Sequence, residues 1–222
     1  MKPILLINLK TYEEATGRNA LELAKTCASL ANESDKVEII IAVQAADIRL
    51  VAENVRVPVF AQHVDPVKYG SSTGWILPEA IKAAGATGTL LNHSERRIDS
   101  ETAKRSLARC RELGLRVVMC AESPERAKEL ASLKPDCIAI EPPELIGGDV
   151  SVSKARPEVI TESVHKVNSV VHIPVLCGAG VKNGEDVKKA LALGAKGILV
   201  ASGVVKAKDP RHALSDLLEG FK

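Results

Sequence analysis

"LRVVMCAESPERAKELASLKPDCIAIE", residues 115–141, contains one complete strand–helix–strand unit. Its two apolar runs, 115–120 and 136–141, are nearly continuous rather than alternating. That pattern suits strands buried on both faces, as in parallel sheets. Between them, Ser123 and Pro124 form a helix-opening pair for a helix over 123–133.

The same unit repeats in both directions. Apolar runs recur at 3–8, 37–43, 57–62, 87–92, 173–178 and 197–202, making eight in all. Helical patterns fill the intervals at 19–32, 46–54, 77–85, 100–114, 156–169 and 183–194, and a last one covers 209–221. In the first, Leu23, Cys27 and Leu30 form one stripe; the fourth opens on Ser100 as a candidate cap and ends at Gly114. No linker or low-complexity tract divides the chain. Eight strand–helix units in 222 residues predict a single (β/α)₈ barrel domain over residues 1–222. A doubly wound open sheet is the structural alternative, but "INLKTYEEATG" (7–17) lacks the glycine-rich dinucleotide fingerprint after the first strand.

Composition narrows the function. The chain is 45 % hydrophobic and 26 % charged, with a net charge of +2, so no global bias points to nucleic acid or an anionic membrane. Its longest apolar runs fall far short of the ~20 residues that span a bilayer. The opening "MKPILLINLK" lacks the apolar region and cleavage site of a signal peptide. Five scattered cysteines suit reduced thiols better than a disulfide framework. A cytoplasmic protein is expected.

In a barrel of this kind, chemistry sits at the carboxyl ends of the strands. There the sequence places Asn8 and Lys10, Gln62 and His63, Asn92 and His93, and Glu141. Gln62 and His63 are read as satisfied loop residues. Asn8, Lys10, His93 and Glu141 are the functional candidates. A carboxylate and an imidazole on opposite walls of the mouth suit proton transfer, and a lysine nearby suits a developing oxyanion. "GAG" (178–180) and "ASG" (201–203) follow strands seven and eight, the usual phosphate site of this fold. "PPELIGGDVSVSKA" (142–155) directly follows Glu141 and reads as a mobile lid, with its core at about 142–150. The five histidines lack metal-ligand spacing, and no site calls for a cofactor.

Taken together, "NLK" (8–10), "NHSERR" (92–97), "IEPPELIGG" (140–148), "CGAGV" (177–181) and "ASGVVK" (201–206) resemble the triosephosphate isomerases, in their compact archaeal-type form. The resemblance implies a cofactor-free interconversion of dihydroxyacetone phosphate and D-glyceraldehyde 3-phosphate. It implies Glu141 as the base and His93 as a neutral electrophile. The resemblance also implies that backbone N–H groups of the turn 94–97 keep the ring neutral, the family being the standard worked case of such tuning. Lys10 would stabilise negative charge, with Glu95 paired behind it. Asn8 and Leu9 would help seat the substrate. Ile146, Gly147, Gly180, Ala201 and Ser202 would hold the phosphate, and lid closure would exclude water.

The more widespread form has Gly at the Asn92 position, Trp at Glu144, Ser at Gly180, and two glycines at Ala201 and Ser202. Asp149 adds a negative charge, so the phosphate ligands stay open. The segment 63–80 matches the loop that reaches into a neighbouring subunit in the family. It carries Tyr69 and Trp75, two of only five aromatic residues. A homotetramer is expected ahead of a dimer, with a small phosphorylated triose as the ligand.

Overall fold

The structure is a computed structural model and describes residues 2–33, 36–142 and 156–222. Eight parallel strands close into a barrel in sequence order. They are β1 (Ile4–Asn8), β2 (Glu38–Val43), β3 (Val59–Ala61), β4 (Gly88–Leu91), β5 (Arg116–Ala121), β6 (Cys137–Ile140), β7 (Val175–Cys177) and β8 (Gly197–Val200). Closure is made by β8 lying beside β1, with Ile4 opposite Gly197 and Ile7 opposite Val200. Seven strands fall inside their apolar runs, and β5 overruns its own by one residue, Ala121.

Around them stand α1 (Arg18–Glu33), α2 (Ile48–Ala52), α3 (Pro78–Ala83), α4 (Ser100–Glu112), α5 (Pro124–Ala131), α6 (Pro157–Asn168) and α7 (Gly184–Ala192), then α8 (Ser202–Val205) and α9 (Pro210–Glu219). Proline stands in the first turn of α3, α5, α6 and α9, where its missing N–H is no loss. The side chains of Ser123, Asn183 and Asp209 cap α5, α7 and α9. For α4 the expected cap is one residue off. Asp99, not Ser100, accepts the Thr102 N–H at 2.8 Å. A carboxylate is a strong acceptor for the free N–H groups of a first turn. Ser100 instead begins the helix and bonds Glu129 and Arg126 of the neighbouring helix α5.

The strands are buried on both faces because there are two cores. Inside the barrel, Ile4, Leu6, Ile40, Phe60, Leu90, Val118, Leu176 and Leu199 fill the lumen. Outside, Leu5, Ile7, Ile39, Ile41 and their neighbours meet the inward stripes of the helices, including Leu23, Cys27 and Leu30 of α1. Alternate residues of one strand thus serve different cores, and each fully buried Leu or Ile contributes about 1.5–3 kcal/mol. The filled lumen leaves only the rim free for polar groups. All five cysteines are buried and free. Burial pushes the thiols of Cys27, Cys110 and Cys177 up to about 12. Among the described residues no helix is long and apolar enough to cross a membrane.

Candidate active site

The rim is organised by backbone turns that aim side chains inward. After β1, Lys10 adopts φ +50°, a left-handed conformation that costs a non-glycine residue about 1–2 kcal/mol. Three hydrogen bonds hold it there. The buried Asn8 Oδ1 accepts the Lys10 N–H at 3.0 Å and the Gln62 amide at 3.2 Å. Gln62 Nε2 also donates to the Lys10 carbonyl at 2.8 Å. Gln62 is thus hydrogen-bonded as its reading as a satisfied residue expects, and its bonds brace the Lys10 turn. The only sequence signal was its place at the end of the third strand. The ammonium of Lys10 lies 2.7 Å from Glu95 Oε1.

After β4, Asn92 takes φ +58°, which asparagine tolerates better than most residues. Its amide donates to the Cys120 carbonyl at 2.9 Å, and its Oδ1 accepts the Ile98 N–H at 3.0 Å. The turn is thus pinned at both ends, and His93 faces the mouth. The Glu95 N–H donates to His93 Nδ1 at 3.2 Å. Because Nδ1 accepts, the ring's hydrogen is assigned to Nε2. His63, by contrast, is buried against Asp65, 3.1 Å away. Burial there draws its imidazole below the usual range.

Glu141 ends β6, with its N–H bonded to the Ala121 carbonyl at 2.8 Å. Its side chain is almost wholly buried, and Oε1 stands 3.5 Å from His93 Nε2. The other oxygen, Oε2, is buried and has no hydrogen-bond partner among the described residues. An orphaned carboxylate oxygen is costly unless a ligand or function claims it. Cys120 lies alongside; its burial and the Glu141 carboxylate raise the thiol well above its normal range. Gly178, after β7, makes the room. A Cβ there would come within 2.6 Å of Glu141 Cγ and 3.1 Å of the Ile140 carbonyl. Any side chain at 178 would displace the carboxylate.

Two cavities meet at this point, and Lys10 lines both. One, of about 390 Å³, is bounded by Glu141, Gly178, Gly180, Ser202 and Lys206. The other, of about 380 Å³, holds Asn8, Gln62, His93 and Glu95. Glu141 lines the first and His93 the second, and the two side chains touch at 3.5 Å where the spaces adjoin beside Lys10. At the far wall Gly180 has φ +66°, a glycine-favouring turn. Ala201 also lines that wall, just ahead of α8. Ser202 and Gly203 begin α8, so no helix carbonyl takes their N–H groups. Leu9 is brought to neither cavity: its side chain is in the outer core, and its N–H goes to the Ala42 carbonyl at 2.9 Å. Ile146, Gly147, Glu144 and Asp149, with the rest of the expected lid beyond Pro142, lie outside the described residues.

A packed barrel carrying a carboxylate, an imidazole and a lysine around one small polar mouth is an acid–base enzyme of the (β/α)₈ class. The family model described as triosephosphate isomerase matches residues 3–219. A triosephosphate isomerase of Methanosarcina acetivorans is 49 % identical over 219 residues, covering 97 % of each chain. One of Methanothermus fervidus is 47 % identical with 98 % of each covered, and one of Methanocaldococcus jannaschii 47 % identical with 97 % and 99 % covered. The chain belongs to the triosephosphate isomerase family. It is an isomerase of triose phosphates.

Proposed function

We propose that Glu141 is the base and His93 the electrophile of an interconversion between dihydroxyacetone phosphate and D-glyceraldehyde 3-phosphate. The observation that carries this reading is the unpartnered, buried Glu141 oxygen beside an imidazole whose Nδ1 is already occupied. Glu141 takes a proton from the carbon next to the carbonyl. His93 Nε2–H bonds the carbonyl oxygen as it gains negative charge, and the Lys10 ammonium adds a favourable field. The enediolate so formed is reprotonated on the neighbouring carbon by the Glu141 carboxyl. Backbone N–H groups at Gly180, Ala201 and Ser202 hold the phosphate, joined by Ile146 and Gly147 from a lid at about 142–150 of the same single domain. Isomerisation run in deuterium oxide is expected to place solvent deuterium on carbon 2 of the aldehyde product. Complete transfer of the substrate hydrogen, with no solvent-derived deuterium in either the product or the recovered substrate, would favour a hydride shift and overturn the enediolate route.

We infer also that the chain assembles as a homotetramer and works in the cytoplasm. Buried free thiols support a reducing compartment, and cell fractionation tests it. For assembly, Tyr69 and Trp75 are 78 % and 56 % exposed on a loop that is otherwise well fixed. Asp65 closes its base by accepting the Ile76 N–H at 2.6 Å, and Arg109 donates to the Val67 carbonyl at 3.3 Å. Exposed aromatics on a rigid support mark an interface. Light scattering is expected to give a mass of four 23.6 kDa chains, and a smaller one after Tyr69→Ser with Trp75→Ser. A native monomer at micromolar concentration would remove the assembly reading.

A further inference from the structure

Lys206 follows α8 and lines the same cavity as Glu141, Gly180 and Ser202. Its ammonium has no carboxylate partner among the described residues. It rests instead over the ring of Tyr12, 4.3 Å from the centroid. The contrast with Lys10 is instructive, because the Lys10 charge is matched by Glu95 at 2.7 Å. A phosphate monoester brings about −1.5 to −2 charges at neutral pH. Glu141 contributes a further negative charge to the same space. The Lys10–Glu95 pair, close to neutral as a unit, cannot balance that sum, and Lys182, the third lysine lining this cavity, already has a partner. Lys206 is a cation whose charge is not cancelled, on the wall where the backbone N–H groups of Ser202 and Gly203 are unclaimed by the helix.

From this juxtaposition we propose that Lys206 is a second binding cation for the substrate's phosphate, held ready by the face of Tyr12. A ring face suits that task. It fixes the ammonium through its quadrupole without neutralising it, and the attraction is weak enough to yield to a dianion. Tyr12 itself lines the cavity, so the parked and engaged positions of the ammonium belong to one small space. The inference rests on the phosphate reading above and adds to it a residue outside the backbone cradle.

The test compares Lys206→Met with Lys206→Arg. Methionine keeps an unbranched stem against Tyr12 and removes only the charge. Arginine keeps the charge and stacks on the ring. In Lys206→Met, KM for dihydroxyacetone phosphate and the inhibition constant of inorganic phosphate are both expected to rise about fivefold, as for one partly screened charge. The turnover number should stay within twofold, and kcat/KM should depend less on ionic strength. Lys206→Arg should restore all three, and thermal unfolding should be unchanged in both variants. If inorganic phosphate competes with substrate equally in wild type and Lys206→Met, the proposal fails alone. If phosphate does not compete in the wild type at all, the phosphate reading fails and takes the proposal with it. Loss in both the Met and Arg variants would make Lys206 a packing residue and overturn its role as a cation.

Discussion

Glu141→Gln is expected to lower kcat by roughly 10²–10⁴-fold, toward the upper end, while the protein stays folded, since a positioned general base contributes on that scale. The substitution is nearly isosteric, so the packing against Gly178 persists, where the methylene sits too close for any Cβ. What it removes is the basic lone pair facing the mouth. Among the described residues Oε2 has no hydrogen-bond partner, so the charge at that oxygen adds little to stability. The melting temperature should therefore hold or rise slightly. Glu141→Asp supplies the complementary arm: it keeps the acid and withdraws it by about one carbon–carbon bond, and a misplacement near 1 Å can cost 10²-fold. A coupled assay of triose phosphate interconversion reads both. Turnover within tenfold of wild type in the Gln variant would remove Glu141 from the reaction.

The barrel could be read from the chain because its strands must be apolar on both faces. Lumen and helix layer both demand aliphatic residues, so the eight runs stand out, while the same lack of alternation leaves face and register to the closed barrel. The acid, the imidazole and the lysine were equally legible, since each sits where an apolar run stops. The supports were not. Gln62 matters because one amide reaches Asn8 and the Lys10 carbonyl together, a convergence of segments 54 and 52 residues apart in sequence. The left-handed turn at Lys10 has no glycine to announce it. Gly178 reads in sequence as part of a phosphate turn, yet its contact is with the Glu141 side chain. The displaced cap of α4 has the same cause. Asp99 and Ser100 are both capping types, and the choice between them depends on which backbone lies extended, a property of the turn and not of either residue. Leu9 shows the converse. It lies inside a motif that carries function, but strand alternation sends its side chain to the outer core.

Removing the imidazole should be the second-largest loss. His93→Ala is expected to reduce kcat by about 10²–10³-fold, the range seen when one donor to a developing oxyanion is taken away, with KM changed far less. The geometry makes the ring a donor. The Glu95 N–H occupies Nδ1 at 3.2 Å, so the ring hydrogen belongs on Nε2, which lies 3.5 Å from Glu141 Oε1. In the proposed reaction the carbonyl oxygen lies against that hydrogen and the adjacent carbon against the carboxylate. The loss falls on kcat because the bond strengthens as charge moves onto oxygen, and a neutral carbonyl in the ground state gains little from it. Alanine also removes the acceptor of the Glu95 N–H, and with water able to enter the void this costs stability on the order of 0.5–1.5 kcal/mol. Thermal unfolding will register that cost and keeps it separate from the kinetic effect. Free imidazole added to His93→Ala is expected to restore part of the turnover, because the void left by the ring opens onto the cavity that Lys10 and Asn8 line. If His93→Ala keeps its turnover within fivefold of wild type, the carbonyl must be polarised by another group, and Lys10 is then the candidate left at that cavity.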